Sequence, residues 1–280
     1  MPWLPLLLAG CTPEIPEEGT CSVSDAPQLL LMRTLYFELA NAEGTSLGFD
    51  LDGITSVSGD GTGCGVVDYQ GPEGQQGIDN AFTLLQPVLD STEAKISAIE
   101  GLVQDAIDSG QLLITLELGG VDEWEEDACV AGTVGKAVGA PMIGTDGLIL
   151  DGQTFDRDPD VEPKPLSGGR INDGVLEARG LSFDLPVQIL NANLVLPLRD
   201  GGIHLEASGV DTYTGFLAGK VSAAYMLSVA QTENVDPVVA DLLGAVLAYN
   251  ADLTDEDGTE CGALSVTLGF EAVGAYYYED

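Results

Sequence analysis

Asp-Gly pairs punctuate the chain at 52–53, 60–61, 146–147, 151–152, 173–174, 200–201 and 257–258. This dipeptide tolerates positive φ and marks hairpins and tight turns. Between the pairs run alternating or β-rich stretches. Leu35-Tyr36-Phe37-Glu38-Leu39 and residues 112–118 read as strands, as do 175–178, 181–185, 194–198 and 203–207. Ile203, Leu205 and Ala207 alternate with His204 and Glu206, which gives that strand one dry face and one wet face. Val266, Leu268 and Phe270, with Val273 beyond them, supply a closing strand. Strands separated by turns this short pair antiparallel.

Two regions switch to helical spacing. Asp90-Ser91-Thr92-Glu93 has the form of an N-cap with a carboxylate at N3, and Ile96, Ile99, Val103 and Ile107 then mark an apolar stripe that Ser109-Gly110 stops. Residues 79–89 before it read as a shorter helix interrupted near Pro87. The second region opens at Asp236-Pro237, a cap followed by proline at N1, with Val239, Leu242, Leu243, Val246 and Leu247 on its apolar face. Residues 222–230 fit helix or strand. The pattern therefore predicts a mainly β (α+β) fold, an antiparallel β-sandwich or curled sheet with two helical insertions. The stretch 156–169, rich in Pro, Asp and Gly, is a long loop or a boundary, but no composition shift accompanies it. Residues 29–280 are read as a single acidic β-rich domain.

The first residues follow another logic. Leu8-Ala9-Gly10-Cys11 closes a short apolar run, Trp3-Leu4-Pro5-Leu6-Leu7-Leu8, with small residues at the cleavage positions. This resembles the lipobox of bacterial lipoproteins, at which a leader is cut before a cysteine whose thiol is diacylated. The resemblance implies a signal peptide over 1–10, lipidation at Cys11, and a Pro- and Glu-rich tether over 11–28. Met1-Pro2-Trp3 carries no Lys or Arg, so either the leader starts upstream or insertion relies on the terminal amine. Thr12 stands where inner-membrane retention signals would want Asp, which points to the outer membrane, facing the periplasm or the surface. No stretch reaches the roughly 18 apolar residues that span a bilayer.

Charge narrows the partners. Lys plus Arg number 9 against 46 Asp plus Glu, a formal net charge of -37. Such a field repels phosphate backbones, so nucleic acid is excluded as a partner, and anionic headgroups are reached only through the acyl anchor. Metals, amines and basic segments of an envelope protein are the cationic partners it attracts. Lys95, Lys136, Lys164 and Lys220 are the only lysines. That scarcity also resembles proteins of saline habitats, and solubility in salt is the simpler reading of the charge.

Five cysteines fit an oxidising compartment. With Cys11 lipidated, Cys21, Cys64, Cys129 and Cys261 allow three pairings. Asp60-Gly61-Thr62-Gly63-Cys64-Gly65 and Asp257-Gly258-Thr259-Glu260-Cys261-Gly262 are one hexapeptide with a single change. This favours Cys64–Cys261, leaving Cys21–Cys129. Acidic runs precede both hexapeptides, so Asp50, Asp52 and Asp60, and Asp252, Asp255 and Asp257, are the candidate ligands for calcium, which takes six to eight oxygens on tightly turned loops. Neither run matches an EF-hand. Asp-rich turns stapled by a disulfide are the simpler reading of the same residues, and calcium is the alternative. Residues 146–162 form a further acidic loop without ligand spacing.

Enzymatic signatures are weaker. Gly44-Thr45-Ser46-Leu47-Gly48 satisfies the nucleophile-elbow formula, but Phe49-Asp50-Leu51-Asp52-Gly53 after it reads as strand into turn rather than helix. His204, the only histidine, would have to be the base, and it lies on a wet strand face. Paired carboxylates leave a glycosidase-like hydrolase as the alternative function. Trp124 is the only tryptophan past the leader, which offers little stacking surface for a sugar.

Asp50-Leu51-Asp52-Gly53, Cys64, Pro72-Glu73-Gly74, Gly77-Ile78-Asp79-Asn80 and Cys261-Gly262-Ala263-Leu264-Ser265-Val266 are similar to segments of uncharacterised acidic bacterial lipoproteins, a resemblance that carries no established activity. The expectation is a membrane-anchored, exported lipoprotein with a binding or structural role, for which calcium is a candidate stabiliser.

Overall fold

Leucine-rich alternation produces strands long enough to wrap the molecule. The computed structural model describes residues 27–57, 61–91, 95–189, 192–232, 237–255, 257–258 and 260–278. In chain order the elements are β1 (Gln28–Phe37), α1 (Gln86–Asp90), α2 (Ile96–Asp108), β2 (Leu113–Gly119), β3 (Glu126–Val138), β4 (Gln153–Arg157), β5 (Lys164–Pro165), β6 (Ser167–Asn172), β7 (Val175–Ile189), β8 (Ala192–Gly209), β9 (Thr212–Ser222), α3 (Ala223–Thr232), α4 (Pro237–Asn250), β10 (Leu253–Thr254) and β11 (Cys261–Tyr277).

The strand pairings close on themselves. β1 pairs β2, β2 pairs β3, β3 pairs β6, and β6 to β9 follow as a meander. β9 pairs β11, and β11 pairs back onto β1, every step antiparallel. Of the two expected forms, the sheet is the curled one, rolled until it closes. β4 bridges β11 and β3 at one end, parallel to the first and antiparallel to the second.

Leu30, Leu116, Val134, Ile171, Leu176, Leu205, Leu217 and Phe270 join one apolar cluster, each almost fully buried. Each such side chain removed from water contributes about 1.5–3 kcal/mol. α2 adds Ile96, Val103, Ala106 and Ile107 to the cluster. It lies along the part of β1 beyond Leu31, where pairing with β2 stops. There the Phe37 N–H donates to Glu100, and the Gln104 side-chain amide donates to the Arg33 carbonyl. The helix thus satisfies a strand edge that would otherwise stay open. Among the described residues no helix is long and apolar enough to cross a membrane.

Several local expectations change. The stretches 175–178 and 181–185 are one strand, β7, and 194–198 and 203–207 are one strand, β8. Asp200-Gly201 is no turn: Asp200 takes φ 49° inside β8, where the pairing register with β9 shifts between Arg199 and Gly202. Asp-Gly supplies positive φ for a bulge as readily as for a hairpin. At Asp173-Gly174 the hairpin is real, with φ of 50° and 80° between β6 and β7. The helix expected over 79–89 is a 3-10 helix, Ala81–Leu85, that gives way to α1 just before Pro87, which stands in the first turn of α1 where its missing N–H is not needed. Asp90 is the last residue of α1, so it cannot cap α2, whose N-cap is Lys95. The ambiguous 222–230 divides into the end of β9 and the start of α3.

Phe270 on β11 is 1 % exposed at the centre of this cluster. Replacing it by alanine is expected to lower stability by about 3–5 kcal/mol in urea unfolding, with the secondary structure retained below the transition.

Candidate functional site

β11 turns Leu264, Val266, Leu268 and Phe270 toward the main cluster, and its alternate residues Ser265, Thr267 and Gly269 meet residues from other segments. Residues 38–57 and 61–80 lie across this second face as a loop layer. The Glu38 N–H donates to the Thr267 carbonyl at 3.0 Å, and the Ala81 N–H donates to Ser265 Oγ at 2.7 Å. A side chain at Gly48 would press on Thr267 Oγ1, 3.1 Å from its Cβ position, so only glycine lets the layer lie this close. Farther along, Phe49 packs on Phe216 of β9 at 5.0 Å, and Arg179 of β7 lies 3.8 Å over the Phe49 ring. His204 stacks on the same Phe216 at 4.7 Å. The wet-face expectation for His204 therefore fails: it turns away from the main cluster but is half-covered, between Glu177 at 3.5 Å and Glu206 at 2.9 Å.

The layer is folded by short bridges, Phe49 with Asp79 and Tyr69 with Ile78. The disulfide Cys64–Cys261 staples it to the start of β11 across a sequence separation of 197. This is the favoured pairing of the matched hexapeptides. Cys129 is also disulfide-bonded; Cys21 lies outside the described residues, as do Cys11 and the whole lipobox.

Within this layer Asp50, Asp52 and Asp79 bring one carboxylate oxygen each within 4.8 Å of the others. Turn geometry holds them. Asp50 accepts the Gly53 N–H at 2.6 Å, Asp52 the Ile54 N–H at 2.8 Å, and Asp79 the Leu51 N–H at 2.7 Å. Asp79 is 2 % exposed. Burial, opposed by the Leu51 bond and reinforced by the charges of Asp252, Asp52 and Asp68, pushes its carboxyl up to about 8. Asp68 is raised by burial and by Asp52 and Asp50, and Asp52 by burial and Asp50. Asp252 is pushed up to about 6 by burial, against hydrogen bonds from Ser265 Oγ and the Ser265 N–H. Five basic side chains are engaged elsewhere, Arg33 with Glu271, Lys136 with Asp158, Arg157 with Glu117, Arg199 with Asp184 and Lys220 with Asp200, whereas the charge of Arg179, over the Phe49 ring, acts on Asp50. A carboxylate group so placed is neutralised by a proton or by a cation.

Two of the expected ligands, Asp50 and Asp52, thus converge, and Asp252 lies near enough for its charge to act on Asp79. Asp60 lies outside the described residues. Asp255 and Asp257 sit at the turn between β10 and β11, with the Gly258 N–H on the Asp255 carbonyl, and belong to no such convergent group among the described residues. Asp79 is the ligand candidate that motif spacing missed. Its neighbours Ile78 and Asn80 gave no signal of this, because its burial comes from the layer folded around it. Ser46 is 3 % exposed and donates to the Leu47 carbonyl, which withdraws it from any nucleophilic role.

Compared with protein-family models, with curated proteins and with solved structures, the chain matches none.

Between about pH 3.8 and 8 the native state keeps a proton on Asp79 that the unfolded chain has released, so stability falls as pH rises through that window. Asp79→Asn reproduces the protonated acid, one oxygen accepting and one group donating. In EDTA the variant is expected to melt about 5–10 °C above wild type at pH 9 and at an equal temperature below pH 4, taking about 2–4 °C per kcal/mol. Cys64→Ala with Cys261→Ala is expected to lose up to about 5 kcal/mol in urea unfolding, the chain-entropy limit for so long a loop.

Proposed function

We propose that the protein is a lipid-anchored envelope protein with a binding or structural role, whose loop layer is held in place by calcium at Asp50, Asp52 and Asp79. The observation that carries this reading is the convergence of these three carboxylates, one of them buried, in a segment that packs on the closed sheet. Calcium is a hard cation suited to carboxylate oxygens on turned loops, and it relieves the repulsion that adds to burial in raising Asp79, Asp68 and Asp52. The negative charge of the whole chain draws such an ion in. The anchor rests on the likeness of Leu8-Ala9-Gly10-Cys11 to a lipobox, and the outer membrane on Thr12. A binding or structural role suits a sheet whose lumen is filled by side chains and whose loop layer is covalently stapled.

Thermal melts with calcium against EDTA at matched ionic strength test the cation. Binding to the native state alone adds RT ln(1 + [L]/Kd), about 2.7 kcal/mol at a hundredfold excess over Kd. A rise of about 5–10 °C is expected in wild type and none in Asp52→Asn. An unmoved wild type refutes the calcium reading. Metabolic labelling with a palmitate analogue tests the anchor: wild type takes label and Cys11→Ala does not, and equal labelling refutes it.

A further inference from the structure

A second site of different chemistry lies at the other end of His204's hydrogen bonds. Trp124, Glu125, Asp173, Gly174, Val175, Glu206 and Ala207 line an open groove of about 490 Å³, a size that suits a small ligand. Three elements build it. The hairpin between β6 and β7 contributes Asp173 and Gly174, β8 contributes Glu206 and Ala207, and the segment before β3 contributes Trp124 and Glu125. That segment is clamped to the hairpin by the Gly174 N–H, which donates to the Glu125 carbonyl at 3.1 Å. Trp124 is braced from behind by Tyr213, ring centroids 5.2 Å apart, and Glu206 is held by His204 at 2.9 Å.

Among the described residues, every charged side chain that lines the groove is a carboxylate, and no Lys, Arg or His lines it. Glu125, Asp173 and Glu206 do not converge as Asp50, Asp52 and Asp79 do. A point cation needs oxygens gathered around one centre. Carboxylates spread along a groove instead match several positive charges spaced along one molecule, with a methylene chain between them to lie against Trp124, Val175 and Ala207. We infer that this groove binds a short aliphatic polyamine. Ammonium groups meet the three carboxylates, and the indole offers its apolar surface and its attraction for cations.

The test uses the full chain with Trp3→Phe, so that Trp124 is the sole tryptophan and its emission reports on the groove. Spermidine is added at ionic strength held constant with sodium chloride. The expected result is a saturable change in emission, with the midpoint raised about two- to fivefold by Asp173→Asn and again by Glu125→Gln, the range of exposed ion pairs. Asparagine tolerates the positive φ of position 173, and Glu125 is exposed, so both variants keep the fold. Asp52→Asn leaves the spermidine midpoint unchanged, and Asp173→Asn leaves the calcium melt unchanged, so each site fails or stands alone. The inference is overturned by an unsaturable response, by an Asp173→Asn, Glu125→Gln double variant that titrates like its parent, by magnesium acting as strongly as spermidine, or by a response to oligolysine alone.

Discussion

Pairing along both edges of β11 is the constraint on which the rest depends. This strand bonds to β1 over Leu268–Ala275 on one edge and to β9 over Ala263–Val273 on the other. Without it the meander from β1 to β9 is an open sheet with two bare edges, each a template for foreign pairing. With it the sheet has a sheltered side that can be filled by Leu, Ile and Phe. Residues 263–270 are buried on both faces, because one meets the main core and the other meets the loop layer.

The two faces of β11 are therefore selected differently. Toward the core they are large and apolar. Toward the layer they are Ser265, Thr267 and Gly269, short enough for backbone and side chains of residues 36–57 and 61–81 to approach. A Cβ on Gly269 would come within 2.5 Å of the Tyr36 ring. Close approach of a polar segment brings carboxylates with it, and their burial is what lifts Asp79 and Asp252 so far. The layer is stabilised by hydrogen bonds, one disulfide and a small aromatic group around Phe49 and Phe216, while a cluster of like charges works against it.

Much of the sheet was legible because alternation reports which face is dry. Ile203 and Leu205 against His204 and Glu206 gave the facing of β8, and Val266, Leu268 and Phe270 that of β11. Closure was not legible, since it depends on which distant strands meet, and alternation carries no partner identity. Asp-Gly marked positive φ correctly but could not separate the bulge at Asp200 from the hairpin at Asp173, because both need the same backbone. The disulfide was legible from the matched hexapeptides. Of the carboxylate site, Asp50 and Asp52 were legible as a turn motif, whereas Asp79 was not, because burial depends on the layer and not on neighbours in sequence. The covering of His204 was hidden for the same reason.

The order of the strands has a consequence for how the molecule is made. β1 and β11 are neighbours in space, with Leu29 opposite Ala275, yet nearly the whole chain separates them. A chain emerging amino end first cannot close its ring until residues 261–277 have arrived, and contacts of such long range form slowly. Until then β1 and β9 each lack the partner they share in the finished sheet. The strand that completes the ring also brings Cys261 to Cys64.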